Sequence, residues 1–196
     1  MEEKELAQLE ELFNKYGLKS IKEIETDKRF LDIQTYQIDL NIGETIYRDR
    51  LVKNGNNGSA CIVVPMFNDG NVLMVVQPRV FSSRGVLLDF PSGYIEKDED
   101  PINAALRELE EETGYTAASV QELASYYQDE GISSAVIKIY LATGLKKVGD
   151  LKLDEDEYVE TYITKFNNLD ELIDKGYIGS GGAQLAICKI KLARGD

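Results

Sequence analysis

The stretch from Gly93 to Tyr115 reads GYIEKDEDPINAALRELEEETGY. It confines the chain to folds in which one short helix lays an apolar stripe on a core and carries a row of carboxylates beside it. Between Pro101 and Thr113, residues Ile102, Ala105, Leu106 and Leu109 recur at i, i+3, i+4 and i+7, the spacing of a helix with one buried face. Asp100 is placed to cap that helix, Pro101 suits its first position and Gly114 suits its stop. Glu108 and Glu112 then lie one turn apart, with Glu111 on the flank of the stripe.

From Glu96 to Glu112, eight acids (96, 98, 99, 100, 108, 110, 111 and 112) stand against Lys97 and Arg107, a local net of −6. Each like-charge pair at helical spacing costs about 0.2 to 0.5 kcal/mol. Four of these acids (108, 110, 111 and 112) lie past the first turn, outside the stretch in which the helix dipole favours negative charge. A solvated acidic face is one reading. A hard cation gives the other, because carboxylate oxygens without histidine or thiolate suit Mg²⁺ or Mn²⁺, and Mg²⁺ takes further ligands from water and substrate phosphates.

The same string resembles the Nudix box, G-x5-E-x7-R-E-U-x-E-E-x-G-U with U apolar, at Gly93, Glu99, Arg107, Glu108, Leu109, Glu111, Glu112 and Gly114. Only Tyr115 departs, standing where the pattern prefers an aliphatic residue. The resemblance implies an α/β fold, an α/β/α sandwich around a mixed sheet, and a hydrolase of diphosphate bonds.

Composition bounds the rest. At 196 residues, 43% of them hydrophobic, the chain can bury a full core without staples. Its 22 basic and 35 acidic residues give −13, with a second acidic cluster from Asp150 to Glu160. So acidic a protein is a poor partner for nucleic acid or an anionic membrane, both of which need clustered Lys and Arg. The acidic start and the short apolar runs imply no signal peptide and no membrane span, hence a cytoplasmic protein. Cys61 and Cys188, both in apolar contexts, are expected as buried free thiols. With no histidine in the chain, a general base must be a carboxylate, a lysine or a metal-activated water.

Along the chain, Glu2 to Tyr16 patterns as an amphipathic helix ended by Gly17. Leu31 to Leu40 and Thr45 to Val52 read as strands about an Asn41-Ile42-Gly43 turn. The Asn54 to Gly58 cluster marks a boundary, giving residues 1–57 as a helix and antiparallel strands and 58–196 as the hydrolase domain. Ser59 to Phe67 and Asn71 to Pro78 are expected to pair as a hairpin about Asn68-Asp69-Gly70, before Gly85 to Phe90 leads into the box. Strands follow at Val120 to Gln128, Ala135 to Leu141 and Val159 to Lys165, then a short helix at Leu169 to Asp174. The GYIGSGG run from Gly176 lacks the Lys-Ser/Thr of a phosphate loop and reads as a connector capping a last helix from Gly181 to Leu192.

Outside the box, the N-terminal strands, Gln77-Pro78-Arg79, and Leu88 to Glu96 (LDFPSGYIE) are similar to the ADP-ribose pyrophosphatase group, with aspartate for glutamate and serine for alanine. That resemblance implies a homodimer in which the N-terminal strands pair or swap, and a Mg²⁺-dependent hydrolase of ADP-ribose or a related nucleoside diphosphate sugar. By carry-over, Glu108 and Glu112 hold metal, Glu111 is a ligand or base, and the Ser92 carbonyl is a further ligand. Arg107 orients the glutamates, and Glu99 supports the loop of the box. Arg79, then Arg50 and Arg84, are the candidates for substrate phosphate or ribose. Members of this group also place a glutamate after a Pro-Gly in a loop beyond the helix. Here Glu130 replaces that proline and no acid directly follows Gly131, so Asp129, Glu130 or Glu111 is expected to complete the site. Two alternatives stay open, a nucleoside triphosphate or dinucleoside polyphosphate hydrolase and a non-catalytic ligand sensor.

Overall fold

The computed structural model describes residues 1–25, 30–53, 57–155 and 157–195. Most of the Asn54 to Gly58 boundary cluster (residues 54–56) therefore lies outside the described residues, as does Asp156 of the second acidic cluster. Helix α1 spans Glu3–Tyr16, and strands β1 (Leu31–Asp39) and β2 (Thr45–Lys53) form an antiparallel hairpin. Next come β3 (Ala60–Pro65), β4 (Asn71–Pro78), β5 (Val86–Asp89) and β6 (Ser92–Tyr94), then α2 (Pro101–Thr113). Strands β7 (Tyr115–Thr116), β8 (Ser119–Tyr127), β9 (Val136–Thr143), β10 (Lys146–Lys147) and β11 (Glu160–Lys165) precede α3 (Leu169–Asp174) and α4 (Gly181–Arg194).

Two sheets carry the body. One has the order β6-β3-β9-β8 and is mixed, since β3 runs parallel to β9 and antiparallel to β6. The other, β11-β4-β5, is antiparallel. Strand periodicity sorts the side chains. Cys61 and Val63 of β3, with Tyr140 and Ala142 of β9, pack against Ala104, Ala105 and Leu109 of α2. The opposite face (Ile62, Val64, Ile137 and Ile139) joins Val72, Met74 and Val76 of β4 and the apolar faces of α1, α3 and α4 in the main core. Burying a side chain such as Leu109 contributes about 1.5 to 3 kcal/mol, and this anchors α2 by the face next to its carboxylates.

The hairpin expected between residues 59 and 78 is not formed. Strands β3 and β4 lie in different sheets and share only a bridge between Met66 and Val72. The edges of β3 are taken by β6 and β9 and those of β4 by β5 and β11, so the Asn68-Asp69-Gly70 turn carries the chain from one sheet to the other. A second expectation also fails, because Cys188 is exposed on α4 while Cys61 is buried, both as free thiols.

Leu9, Leu12 and Phe13 of α1 are buried in the main core, whereas every residue of β1 is exposed. Ile33, Ile42 and Tyr47 of the hairpin each show more than half of their surface to solvent, at 62%, 79% and 63%. A two-stranded hairpin is marginal in water without further cover. Among the described residues, no helix is long and apolar enough to cross a membrane.

Candidate active site

Helix α2 is fixed at both ends. The Asp100 carboxylate accepts from the Ile102 and Asn103 N–H groups at 2.9 and 3.3 Å, and Gly114, at φ +71°, donates to the Glu110 carbonyl at 2.7 Å. Between these ends Glu108 and Glu112 turn toward β6 and are buried, at 8% and 4% exposure. The Ser92 N–H donates to Glu112 Oε2 at 3.0 Å. Gly93 lies so close to Glu108 that a Cβ there would fall 2.0 Å from its Oε1, which is why the strand carries a glycine at this point.

Arg107 ties the acids together. It holds Glu99 through Nε and Nη2 at 2.9 and 3.0 Å, a two-point grip that only a guanidinium offers. Its Nη1 donates to Glu108 at 2.7 Å and Glu111 at 2.9 Å, and Nη2 also reaches the Tyr94 carbonyl at 3.0 Å. Arg107 thereby pulls the Glu99 carboxyl below the ordinary carboxylate range. Burial acts the other way on Glu108 and more strongly on Glu112, raising both. Lys152 pairs with Glu110 at 2.7 Å, so part of the acidic row is neutralised from a distant segment.

Glu108, Glu112 and Arg107 open on a cavity of about 1010 Å³ that is also lined by Arg79, Asp154 and Glu157. The charge of Glu157 acts on both Glu108 and Glu112. Its loop is hung on the box helix, where Val148 N–H donates to the Gly114 carbonyl and Lys152 N–H to the Glu111 carbonyl, each at 2.8 Å. Glu157 accepts from the Asp154 N–H at 3.1 Å. In the sequence the Asp150 to Glu160 acids contribute to net charge, and nothing local connects them with the box. The signal lay in that second local cluster.

Glu130 is placed elsewhere. Its turn is closed by Ser133 N–H on the Asp129 carbonyl at 2.7 Å and tied to β2 by Leu51 N–H on the Ile132 carbonyl at 2.7 Å. Neither Asp129 nor Glu130 lines the cavity. Arg84 is also outside it, stacked on Tyr177 at 4.3 Å and paired with Glu10 of α1 at 3.7 Å. Arg50 stays on the hairpin, over the Tyr36 ring at 5.0 Å and donating to Gln34 at 2.8 Å. Of the three arginines expected at substrate, Arg79 alone lines the cavity.

The NUDIX domain family model matches residues 57–183, well over half of the chain. The chain belongs to the Nudix family. Similar proteins include an ADP-ribose pyrophosphatase of Bacillus subtilis, 30% identical over 84% of this chain and 86% of that one. A methanol dehydrogenase activator of Bacillus methanolicus is 36% identical over 67% of this chain and 69% of its own length. A solved structure described as an ADP compounds hydrolase superposes with a TM-score of 0.72 at 20% identity, over 87% of this chain and 90% of that one, and shows the same fold. The protein is a Nudix enzyme of the ADP-ribose pyrophosphatase-like kind.

Nudix hydrolases generally use divalent metal ions, and the donor set here fits one. Glu112 is buried, and its only hydrogen bond described is from a backbone N–H. Burial disfavours the charge of both Glu108 and Glu112, a cost that a cation facing them would offset. As the side chains stand, no three acids or thiols are gathered in metal-holding geometry among the described residues. Glu108 and Glu111 are turned onto Arg107 instead.

Proposed function

We propose that this Nudix enzyme hydrolyses the diphosphate bond of ADP-ribose or a related nucleoside diphosphate sugar with Mg²⁺, giving a nucleoside monophosphate and a sugar phosphate. The observation that carries this reading is a pair of buried carboxylates, Glu108 and Glu112, lining one cavity with a third acid, Glu157, and with Arg79. The pyrophosphatase relative in Bacillus subtilis supports ADP-ribose as the first substrate to try.

Glu108, Glu111 and Glu112, with the Ser92 carbonyl, are the proposed Mg²⁺ ligands; Mn²⁺ fits the same oxygens. The ion supplies neutralisation of phosphoryl oxygens and a lowered pKa for water. Arg107 orients the carboxylates through its ion pairs, and Glu99 in turn holds Arg107. Arg79 meets the negative charge of the diphosphate, which must be offset before a nucleophile can approach. Glu157 takes the proton of the attacking water on its carboxylate. A new P–O bond forms as the bridging P–O bond breaks, and the bridging oxygen leaves with the other phosphoryl group.

We also propose that a second copy of the chain covers the β1-β2 hairpin in a homodimer acting in the cytoplasm. The exposed Ile33, Ile42 and Tyr47 support that reading. The decisive experiment incubates the protein and Mg²⁺ with ADP-ribose, UDP- and GDP-sugars, diadenosine polyphosphates and nucleoside triphosphates, with products separated by chromatography. AMP and ribose 5-phosphate from ADP-ribose are expected. No turnover of any compound would favour a ligand sensor.

A further inference from the structure

We infer that the first turn of α4, together with the carboxamide of Gln77, forms a metal-independent subsite for a phosphoryl group within the cavity. The identity of the anion rests on the diphosphate reading above.

Gln77 is buried at 5% exposure, lines the cavity, and has a buried Nε2 with no hydrogen-bond partner among the described residues. A buried amide donor left unmatched is costly and in a native protein requires an explanation. The ladder shows which way it faces. Gln77 stands opposite Leu87, and Val75 stands opposite Asp89, so these four side chains share one face of the sheet, with Val76 and Leu88 on the other. The residues leading into α4 touch that shared face, while the body of the helix packs in the main core. The Ser180 hydroxyl donates to Asp89 Oδ1 at 3.0 Å, and a Cβ on Gly179 would lie 3.1 Å from Leu87.

Ser180, Gly181 and Gly182 line the same cavity as Gln77. Ser180 caps the helix by accepting from the Ala183 N–H at 3.1 Å. The N–H groups of Gly181 and Gly182 occupy the first two helical positions and have no acceptor within the helix. A Cβ on Gly181 would meet nothing within 4 Å, so a ligand can approach its backbone. Gly182 is held against β3, where a Cβ would fall 2.3 Å from Ile62 Cδ1. Asp89, the acid beside them, is engaged by the Phe90 N–H at 2.9 Å and by Ser180.

Two backbone donors at the positive end of a fourteen-residue helix and an unmatched carboxamide suit a phosphate oxygen. The opposite requirement holds at Glu108 and Glu112, which repel phosphate unless a cation intervenes. Arg79 links the two regions, since its charge acts on both Glu112 and Asp89. A diphosphate can thus have one phosphoryl group at the acids and the other on neutral donors. The second needs no ion, and the subsite will hold a phosphate monoester by itself.

The test is calorimetric titration with AMP, with ribose 5-phosphate and with inorganic phosphate, in EDTA. Two variants remove donors with little strain. Gln77→Leu deletes the amide. Gly181→Pro deletes one N–H at a position that suits proline, and the preceding Ser180 already has φ −76° and ψ 134°, as a residue before proline prefers. The wild type is expected to bind at least one monoester, and each variant to bind it at least fivefold more weakly. The monoester preferred identifies the half of the substrate seated there. Gln77→Leu is also expected to unfold at no lower urea concentration than wild type, a result a structural glutamine would not give; if it fails to fold, Gly181→Pro decides. Monoester binding unchanged by the variants, or absent without metal, overturns the subsite even if ADP-ribose is hydrolysed. Variant-sensitive binding in a protein that hydrolyses no nucleotide sugar would instead leave the subsite standing and remove the proposed substrate.

Discussion

The backbone N–H of Ser92 donates to Glu112 Oε2 across 3.0 Å, joining the strand on which the box opens to the last turn of the box helix. No cation among the described residues pairs with that buried carboxylate. Glu112→Gln keeps the acceptor oxygen and deletes the charge. Turnover is expected to fall at least about a hundredfold, the scale on which a preorganised charged group acts. The metal-free fold is expected to persist, because the substitution removes a charge that burial disfavours. Steady-state rates with Mg²⁺ and urea melts in EDTA read the two effects separately, and undiminished turnover would sink the metal assignment.

The same burial gives a pH signature. Glu112 has its folded-state pKa raised, chiefly by desolvation, so its contribution to stability is present below the unfolded pKa and is lost as pH rises through the folded value. Glu99 is shifted down, chiefly by its hydrogen bonds from Arg107. Its contribution is therefore present above the unfolded pKa and is lost as pH falls. In EDTA, Glu112→Gln should gain on the wild type in urea midpoint as pH rises above the ordinary carboxylate range, whereas Glu99→Gln should lose most at neutral pH and progressively less as pH falls below that range. Parallel pH profiles for the wild type and both variants would contradict this.

Arg107 grips Glu99 at two points and reaches Glu108 and Glu111 from one nitrogen. Lysine keeps the charge and loses that geometry. Arg107→Lys is expected to cost about 1 to 2 kcal/mol in urea denaturation, a discounted figure for a partly exposed network. It should also raise the Mg²⁺ concentration needed for half-maximal rate by roughly tenfold, because Glu108 and Glu111 lose their common anchor. A stable variant with an unaltered Mg²⁺ requirement would make Arg107 a surface residue only.

Much of this was legible in the sequence because it is local. The box helix runs from Pro101 to Thr113 with its cap at Asp100 and its stop at Gly114, all set by neighbours within a few residues. Strand partners are not local. Ser59 to Phe67 and Asn71 to Pro78 look like a hairpin by alternation and turn chemistry, yet β9 and β11, far downstream, take the edges that a hairpin would use. The place of Glu157 in the cavity is illegible in the sequence for the same reason. Strands β7 to β10 separate it from Glu112, and the backbone bonds from Val148 to Gly114 and from Lys152 to Glu111 bring its loop back to the end of α2. Glu130, the acid nearest the Pro-Gly position, sits instead on a turn tied to β2 by the Leu51–Ile132 bond and does not line the cavity.

Glu157 is therefore where the proposed proton transfer is most exposed to experiment. It lines the cavity with Glu108 and Glu112 yet bonds the Asp154 N–H rather than Arg107, so its removal should leave the box network intact. Glu157→Gln is expected to lower kcat by about 10² to 10⁴, the range for loss of a general base, with little change in the Mg²⁺ requirement or the urea midpoint. Glu130→Gln, on a turn outside the cavity, should retain wild-type turnover. If Glu130→Gln loses the activity and Glu157→Gln keeps it, the base lies in the loop after β8 and that loop moves over the acids when substrate binds.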